Sequence, residues 1–279
     1  MTAVSAREFG RVYREALKGV WAHWSPGMQR EMAAHCHGWA LGRFDFRNYL
    51  EASATRFYRA YRALAGGGVE TVCDVGGFWG VFPLALRELG YRVSMTETLR
   101  YYSDSFRGLF DHLARRGVEI VDYDPFEPGT PLPGAFDAVT VMAVLEHYPH
   151  SLRPFMENVV AGVRPGGRLF LEVPNIAFWP KRVAFLRGRS PITPVGDVYR
   201  SAVPFIGHHH EFTMAELREL AELAGLEVLE ESYFNYSPRG GPLKQLLRRP
   251  VESLAFALVP DSRECLAVLC TPRAGASRG

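Results

Sequence analysis

The sequence predicts an α/β fold in which helices cover a parallel sheet. Three observations predict it: apolar strand-like runs alternate with helix-like segments in the middle of the chain, a glycine-rich turn follows the first run, and acidic residues follow the next two. Strands that alternate with helices are joined by right-handed crossovers, which make neighbouring strands parallel. The 279 residues allow one large domain, or one domain with an accessory unit.

The elements follow in a regular order. The predicted strands are residues 69–75, 92–96, 118–121, 138–141 and 168–173, with two closing strands at 228–234 and 265–270. The predicted helices are residues 81–89, 99–116 and 151–163, and a capping box at 213–216 begins a further helix that runs to residue 224. A shorter helical patch is predicted at residues 243–249.

Residues 1–65 are predicted to form an N-terminal helical cap, ahead of a main domain at residues 66–279. Asp45 is a typical N-cap residue, and the helix that it begins carries one face at spacings of three and four. The glycines at 66–68 are predicted to end this helix. We expect the cap to close over the ligand edge of the sheet, because that edge would otherwise stay open to water.

The strand–helix pattern breaks between residues 174 and 212, where prolines are frequent. A long segment without regular structure in a compact domain is usually functional. We therefore predict that residues 174–212 form a lid inserted after the fifth strand. We expect this lid to be the most mobile part of the ligand-free protein, apart from the termini.

The composition excludes several classes of protein. Hydrophobic residues make up 47% of the chain and charged residues 22%, as in a globular domain and unlike a disordered one. The net charge of +2 is too small to indicate a nucleic-acid partner. We expect no membrane span and no signal peptide, because apolar runs are short and the N-terminus is charged. The four cysteines lack metal or redox spacing, which favours a reduced, cytoplasmic setting.

The clearest motif is the glycine-rich turn after the first strand, with Asp74 followed by Gly76, Gly77 and Gly80. Glycine lets the backbone turn sharply and approach a ligand closely. The spacing does not fit a dinucleotide-binding loop. Because a carboxylate would repel a phosphate and attract an ammonium group, Asp74 favours a zwitterionic or cationic ligand.

Acidic residues follow the next two strands, at Glu97 and then at Asp122 and Asp124. Ligands bind at the carboxyl ends of strands in open parallel sheets, and an acid about twenty residues after the loop is placed to bind ribose hydroxyls. The sequence therefore predicts a nucleoside-type ligand with a positive charge.

In order and spacing, these motifs resemble those of the class I S-adenosylmethionine-dependent methyltransferases. The resemblance covers residues 69–234 and also includes Leu145-Glu146-His147 after the fourth strand and Pro165-Gly166-Gly167 before the fifth. It implies a Rossmann-like, doubly wound, seven-stranded sheet with a reversed last strand. It also implies S-adenosyl-L-methionine as cofactor and a small-molecule acceptor.

The same resemblance implies a role for each residue of the motifs. Asp74 is expected near the ammonium of the methionine moiety, and the backbone of Gly76, Gly77 and Gly80 beside that moiety. Glu97 is expected at the ribose hydroxyls. An acid after the third strand is expected at the adenine amino group, for which Asp124 is the first candidate and Asp122 the second.

Histidines are the candidate catalytic residues, because a hydroxyl acceptor benefits from a base of near-neutral pKa. His147 directly follows the fourth strand and is the first candidate, with a role in shaping the pocket as the alternative. His208 and His209 lie in a tract similar to a Gly-His-His-Arg-Glu-Tyr-Thr segment of methyltransferases encoded with bacterial polysaccharide genes, although His210 replaces the Arg. This similarity predicts O-methylation of a sugar or nucleotide-linked sugar. An N- or C-methyltransferase and a non-catalytic or RNA-binding member of the fold are the alternatives.

No metal site is expected from the sequence. Some relatives that methylate catechol-like quinone precursors hold a metal through a Glu, followed three residues later by Glu-His. The corresponding positions here are Ala143, Glu146 and His147, so the first ligand is missing. Neighbouring histidines, as in the tract at 208–210, rarely bind one ion together.

Overall fold

A seven-stranded sheet forms the centre of the computed structural model, which describes residues 3–35, 45–201, 205, 207–237 and 246–273. The strand order is β3-β2-β1-β4-β5-β7-β6, and β7 runs antiparallel to both β5 and β6, whereas the other pairs are parallel. The strands are β1 (Thr71–Val75), β2 (Arg92–Glu97), β3 (Val118–Asp122), β4 (Phe136–Met142), β5 (Val163–Pro174), β6 (Leu226–Phe234) and β7 (Cys265–Pro272). The predicted seven-stranded sheet with a reversed last strand is confirmed.

Helices pack on both faces of this sheet. They are α1 (Ala6–Trp21), α2 (Pro26–His35), α3 (Phe46–Leu64), α4 (Val81–Glu88), α5 (Arg107–Arg115), α6 (Leu152–Ala161), α7 (Trp179–Leu186), α8 (Val195–Arg200), α9 (Met214–Leu223) and α10 (Pro250–Leu258). Because side chains alternate along a strand, Val72 and Met95 join a core with α1, α3, α4 and α5. Cys73 and Val75 join a second core with α6 and α9. None of the helices in the described parts of the chain is long and apolar enough to span a bilayer.

Helix α3 lies along the sheet beside β5. Near its C-terminal end, Arg168 of β5 donates from Nη1 to the carbonyl of Ala63 at 2.8 Å. At its N-terminal end, Phe46, Tyr49 and Leu50 reach a cavity at the carboxyl edge of the sheet. The N-terminal helices therefore reach the sheet edge over which we expect them to close. They share one core with α4, and the division at residue 65 stays a prediction.

The prediction of one continuous helix over residues 99–116 is wrong. Two 3₁₀ turns, Leu99–Tyr101 and Asp104–Phe106, precede α5. Ser103 is the N-cap of the second 3₁₀ turn, and its hydroxyl accepts from the backbone N–H of Ser105 at 3.2 Å. A serine that bonds to its own neighbouring backbone competes with helix formation.

Helices α7 and α8 correct the expectation that residues 174–212 lack regular structure. Pro180 lies in the first turn of α7, and Pro194 is the N-cap of α8. Proline is tolerated at a helix start, where its missing N–H has no partner to lose. The prolines thus begin these helices. In the helical patch predicted at 243–249, residues 246–248 are helical, residues 243–245 lie outside the described residues, and α10 follows from Pro250.

Candidate functional site

A cavity of about 530 Å³ opens at the carboxyl ends of β1, β2, β4 and β5 and is closed on one side by α3. Much of its wall is aromatic, with Phe46, Tyr49, Phe57, Phe78, Trp79, Phe82, Tyr102, Phe178 and Tyr236. Its acidic wall residues are Asp74, Glu97, Glu146, Glu172 and Glu264, against two basic ones, Arg56 and Lys181. The wall of the cavity is therefore rich in aromatic side chains and contains more acidic than basic residues.

The glycine turn forms one end of this cavity. Gly76 has φ +68°, and a Cβ on it would lie 2.8 Å from Cγ2 of Val144. The backbone N–H groups of Gly76 and Gly77 both donate to the carbonyl of Thr96, at 3.1 and 3.2 Å. The loop is thereby tied to β2 while Gly76 and Gly77 line the cavity. Gly80 lies behind this wall as the left-handed N-cap of α4.

Asp74 ends β1 beside this loop, with a side chain that is buried and faces the cavity. The hydroxyl of Thr140 donates to its Oδ1 at 2.5 Å. Burial raises the pKa of Asp74 to about 7, and the Thr140 hydrogen bond offsets part of that rise. The carboxyl is therefore balanced between its neutral and ionised forms and would ionise fully beside a cation.

Glu97 ends β2 on the other side of the loop. Its Oε2 accepts from the Tyr102 hydroxyl at 2.6 Å, and its Oε1 accepts from the backbone N–H of Phe78. Burial raises the pKa of Glu97 to about 7. Each carboxylate oxygen has a second lone pair, so Glu97 retains the capacity to accept from ligand hydroxyls. We call Asp74, Gly76, Gly77 and Glu97 the glycine-loop end of the cavity.

Asp122 and Asp124 are not part of the cavity wall. Asp122 accepts from the backbone N–H of Leu99 at 3.0 Å. Asp124 is held by Arg100, whose Nη2 donates to Oδ2 at 2.7 Å. Both carboxylates thus stabilise the turn between β2 and α5, and the adenine role expected of one of them stays a prediction.

His147 lies in another part of the cavity wall, in a 3₁₀ turn after β4. Its Nδ1 lies 3.2 Å from the carbonyl oxygen of Gly207. Because a carbonyl only accepts, Nδ1 carries the proton and Nε2 keeps its lone pair. Burial lowers the pKa of His147 to about 4, with a smaller contribution from nearby His208. The imidazole is therefore neutral at physiological pH.

His208 lies against His147, with ring centroids 4.9 Å apart. Its Nδ1 is 2.8 Å from Oε1 of Glu211, which also pairs with Lys181. The backbone N–H of His209 donates to the carbonyl of Glu146 at 2.7 Å and ties the two segments together. The structure thus brings together His147 and His208, which the sequence separates.

The ring of His209 lies outside the cavity wall, unlike that of His208. Its Nε2 is 3.0 Å from the carbonyl oxygen of Phe205, and it is absent from the cavity wall. Of the two histidines predicted in this tract, only His208 reaches the cavity.

Glu146 is a residue of the cavity wall that the sequence analysis did not name as a candidate site residue. It is fully buried, and neither carboxylate oxygen has a hydrogen-bond partner among the described residues. Burial raises the pKa of Glu146 to about 8. Glu146, His147 and His208 each place a ligand atom within 4.8 Å of the others, so they are the described group able to hold a metal ion. We call these three residues the histidine end of the cavity.

A buried ion pair between Arg56 of α3 and Glu172 of β5 forms part of the wall between the two ends. Arg56 also donates from Nη1 to the Tyr49 hydroxyl at 3.2 Å and lies 5.3 Å from the centre of the Tyr236 ring. The pair is internally neutralised and fixes α3 against the sheet. No local motif marks it, because its partners lie far apart in the chain.

Comparison with known proteins identifies the family. Residues 43–231 match the family described as "Methyltransferase domain". The chain is 33% identical over 139 residues to a ubiquinone biosynthesis O-methyltransferase of Aeromonas salmonicida (strain A449), a match that covers 48% of this chain and 54%, about half, of the relative. It is 29% identical over 195 residues to the protein of the same name from Xanthomonas euvesicatoria pv. vesicatoria (strain 85-10), covering 68% of this chain and 76% of the relative.

Two solved structures share the fold. Magnesium protoporphyrin IX methyltransferase (ChlM) from Synechocystis PCC 6803, with bound SAM, is 16% identical with a TM-score of 0.50, covering 83% of this chain and 86% of that one. A chain of the complex between the Haloferax volcanii Trm112 methyltransferase activator and a methyltransferase is 17% identical with a TM-score of 0.53, covering 82% and 94%. The two structures share the fold, and the matched domain leads to one conclusion: the chain belongs to the methyltransferase-domain family.

Proposed function

We propose that this protein is an S-adenosyl-L-methionine-dependent methyltransferase that acts on a hydroxyl group of a small, uncharged molecule with a flat ring. One observation carries the proposal: a single aromatic cavity joins the carboxylates at the glycine-loop end to the histidines at the histidine end. A methyl donor bound at the first end would present its methyl group to an acceptor held at the second.

The glycine-loop end suits the cofactor in charge and shape. Asp74 would bind the ammonium group, and the open backbone at Gly76 and Gly77 would lie against the methionine moiety. Glu97 would accept from the ribose hydroxyls. The five acids and two bases of the wall leave an excess of potential negative charge, which favours a cofactor with a positive sulfonium.

The same excess of acids bears on the acceptor. The two basic residues of the wall already pair with carboxylates, Arg56 with Glu172 and Lys181 with Glu211, so the described wall offers a phosphate no unpaired Lys or Arg, which opposes a nucleotide-linked sugar. Ring walls such as Phe178 and Tyr236 favour a flat apolar acceptor that stacks. The names of the relatives support oxygen as the methylated atom. We therefore favour a hydroxyl on a flat ring as the methylated group, and not the sugar hydroxyl that the sequence analysis favoured. With such an acceptor, the protein would differ in substrate from the methyltransferases encoded with polysaccharide genes.

The chemistry is an in-line displacement. The acceptor oxygen forms a bond to the methyl carbon while the bond from that carbon to sulfur breaks, and the electron pair stays on sulfur to give S-adenosylhomocysteine. In the simplest form, the hydroxyl proton passes to Nε2 of His147, whose Nδ1 is already bonded to the Gly207 carbonyl. Such proton transfer contributes typically 10²–10⁴-fold to the rate when the pKa of the base is near neutral, and the lowered pKa of His147 places its contribution at the lower end of that range.

The protein is proposed to work in the cytoplasm on a free small molecule. The three cysteines among the described residues, Cys73, Cys265 and Cys270, are unbridged thiols, as a reducing compartment favours.

The test is methyl transfer from radiolabelled S-adenosylmethionine to a matched acceptor panel. The panel contains a catechol, the same ring with an amine in place of one of its two hydroxyl groups, a free sugar and a nucleotide-linked sugar. Label on the catechol oxygen, with little on the two sugars, is the expected result. Preferential labelling of a sugar or of the amine would overturn the proposed acceptor while leaving the cofactor assignment intact.

A further inference from the structure

We propose that Glu146, His147 and His208 form a binding site for a divalent transition-metal ion at the histidine end of the cavity. The three side chains offer one carboxylate oxygen and two ring nitrogens, all within 4.8 Å of one another. Ligand atoms lie about 2.0–2.2 Å from a metal and so at most about 4.4 Å from each other, which a small movement of these side chains would allow.

The histidines already have the arrangement of metal ligands. A metal-binding histidine almost always donates its other ring N–H to a carboxylate or a backbone carbonyl. His147 does so from Nδ1 to Gly207, at 3.2 Å, and His208 does so from Nδ1 to Glu211, at 2.8 Å. Lys181 holds Glu211 from its other side. Both rings are therefore fixed, with Nε2 as the remaining ligand atom.

Glu146 supplies an independent observation. Its side chain is fully buried, and neither oxygen has a hydrogen-bond partner among the described residues. A buried carboxyl without partners is costly and needs an explanation. The nearest basic groups of the wall are committed elsewhere, Arg56 to Glu172 and Lys181 to Glu211. A bound cation would satisfy the oxygens that the protein leaves unpaired.

The ligand set also indicates the kind of ion. Two imidazoles and one carboxylate suit Zn²⁺, Fe²⁺, Co²⁺ or Mn²⁺ with open coordination positions. Mg²⁺ and Ca²⁺ prefer oxygen ligands throughout. The sequence predicted no metal because Ala143 stands where relatives carry a Glu. The structure instead supplies His208, brought in from the segment before α9 by the bond from His209 to Glu146.

Ion binding itself does not depend on the proposed function, whereas a catalytic role of the ion rests on it. An ion held there would polarise an acceptor hydroxyl and lower its pKa. In that case His147 and His208 act as ligands, and the proton of the hydroxyl leaves to solvent.

The experiment measures metal binding on the whole protein, without an acceptor. Chelator-treated enzyme is titrated with Co²⁺, followed by visible absorption, and with Zn²⁺, followed by calorimetry. We expect one ion per chain. His208→Ala and Glu146→Gln should each weaken binding at least tenfold, and Glu211→Gln about 10–100-fold through the orientation of His208.

His210→Ala is the matched control, because His210 belongs to the same tract but lies beside Glu216, at 3.5 Å. It should bind metal like the unaltered protein. Binding of S-adenosylhomocysteine checks that every variant is folded. Equal metal affinity in the unaltered protein and in both cluster variants would overturn the site, as would loss of binding in His210→Ala alone. Methyl transfer that is insensitive to chelation would remove the catalytic role and leave the proposed function standing.

Discussion

The glycine-loop end of the cavity comes from one continuous stretch of chain, whereas the histidine end is assembled from segments far apart in sequence. At the glycine-loop end, the two carboxyls already accept hydrogen bonds from Thr140, Tyr102 and the backbone of Phe78. At the histidine end, the Glu146 carboxyl accepts none among the described residues. The carboxyls of the first end therefore already have partners within the protein, whereas the second end contains a buried carboxyl without one.

The largest expected effect concerns the glycine-loop end. Gly76→Val should abolish binding of S-adenosylhomocysteine, because the new side chain would need a positive φ and would collide with Val144. Isothermal titration calorimetry with S-adenosylhomocysteine measures this loss of binding. Gly129→Val is the matched control, since Gly129 has φ +70° with nothing within 4 Å. Similar loss of binding in both variants would show that backbone strain, and not the loop, is responsible.

The second prediction separates the two ends. His147→Ala should lower methyl transfer to the catechol acceptor by about 10²-fold, the lower end of the usual range for a general base, because the pKa of His147 is lowered to about 4, and it should leave the affinity for S-adenosylhomocysteine nearly unchanged. His209→Ala, whose ring bonds to the Phe205 carbonyl outside the cavity, serves as the control. If His147→Ala instead loses cofactor affinity and keeps its turnover, His147 shapes the pocket and the two ends are not separate.

A smaller effect is expected at Glu97. Glu97→Ala should cost about 1–3 kcal/mol of binding free energy for S-adenosylhomocysteine, because ribose hydroxyls would lose their acceptor. Calorimetry on Asp124→Ala should show a smaller loss of binding free energy, since Asp124 lies outside the cavity wall and pairs with Arg100. A larger loss at Asp124 would restore its expected adenine role.

The smallest effect is a pH dependence. The buried carboxyls of Asp74 and Glu97 have pKa values raised to about 7, so both ionise between pH 6 and 8. Cofactor affinity should rise over that interval, because its positive groups bind the ionised forms. The sign is opposite for the stability of the ligand-free protein. A raised folded-state pKa contributes stability that is present below about pH 4 and is lost as pH rises through about 7. Calorimetry and thermal unfolding in the same buffers measure both trends, and a cofactor affinity that falls with pH would contradict the assignment.

The difference between the two ends also explains what the sequence could predict. Asp74, Gly76 and Glu97 belong to a strand–turn–helix–strand unit, whose local pattern fixes the position of each. The parallel pairing of the first five strands follows from the same alternation. Local patterns failed where a side chain changed the backbone, as at Ser103, and where prolines began helices, as at Pro180 and Pro194.

The histidine end could not be predicted in full for a physical reason. Its parts meet through tertiary contacts, such as the bond from the His209 backbone to Glu146 and the one from His147 to Gly207. Periodicity carries no information on such contacts. The sequence offered only the separate candidates His147, His208 and His209, and it assigned Glu146 to supporting the loop.

The central claim is that one cavity brings the methyl donor to the histidine end. A crystal structure of the complex with S-adenosylhomocysteine tests it most directly. We expect the homocysteine moiety against Gly76 and Gly77, the ribose at Glu97, and the sulfur about 6–8 Å from Nε2 of His147, which leaves room for one methyl group and one acceptor oxygen. A sulfur atom that points away from Glu146, His147 and His208, or a nucleoside bound outside this cavity, would contradict the account.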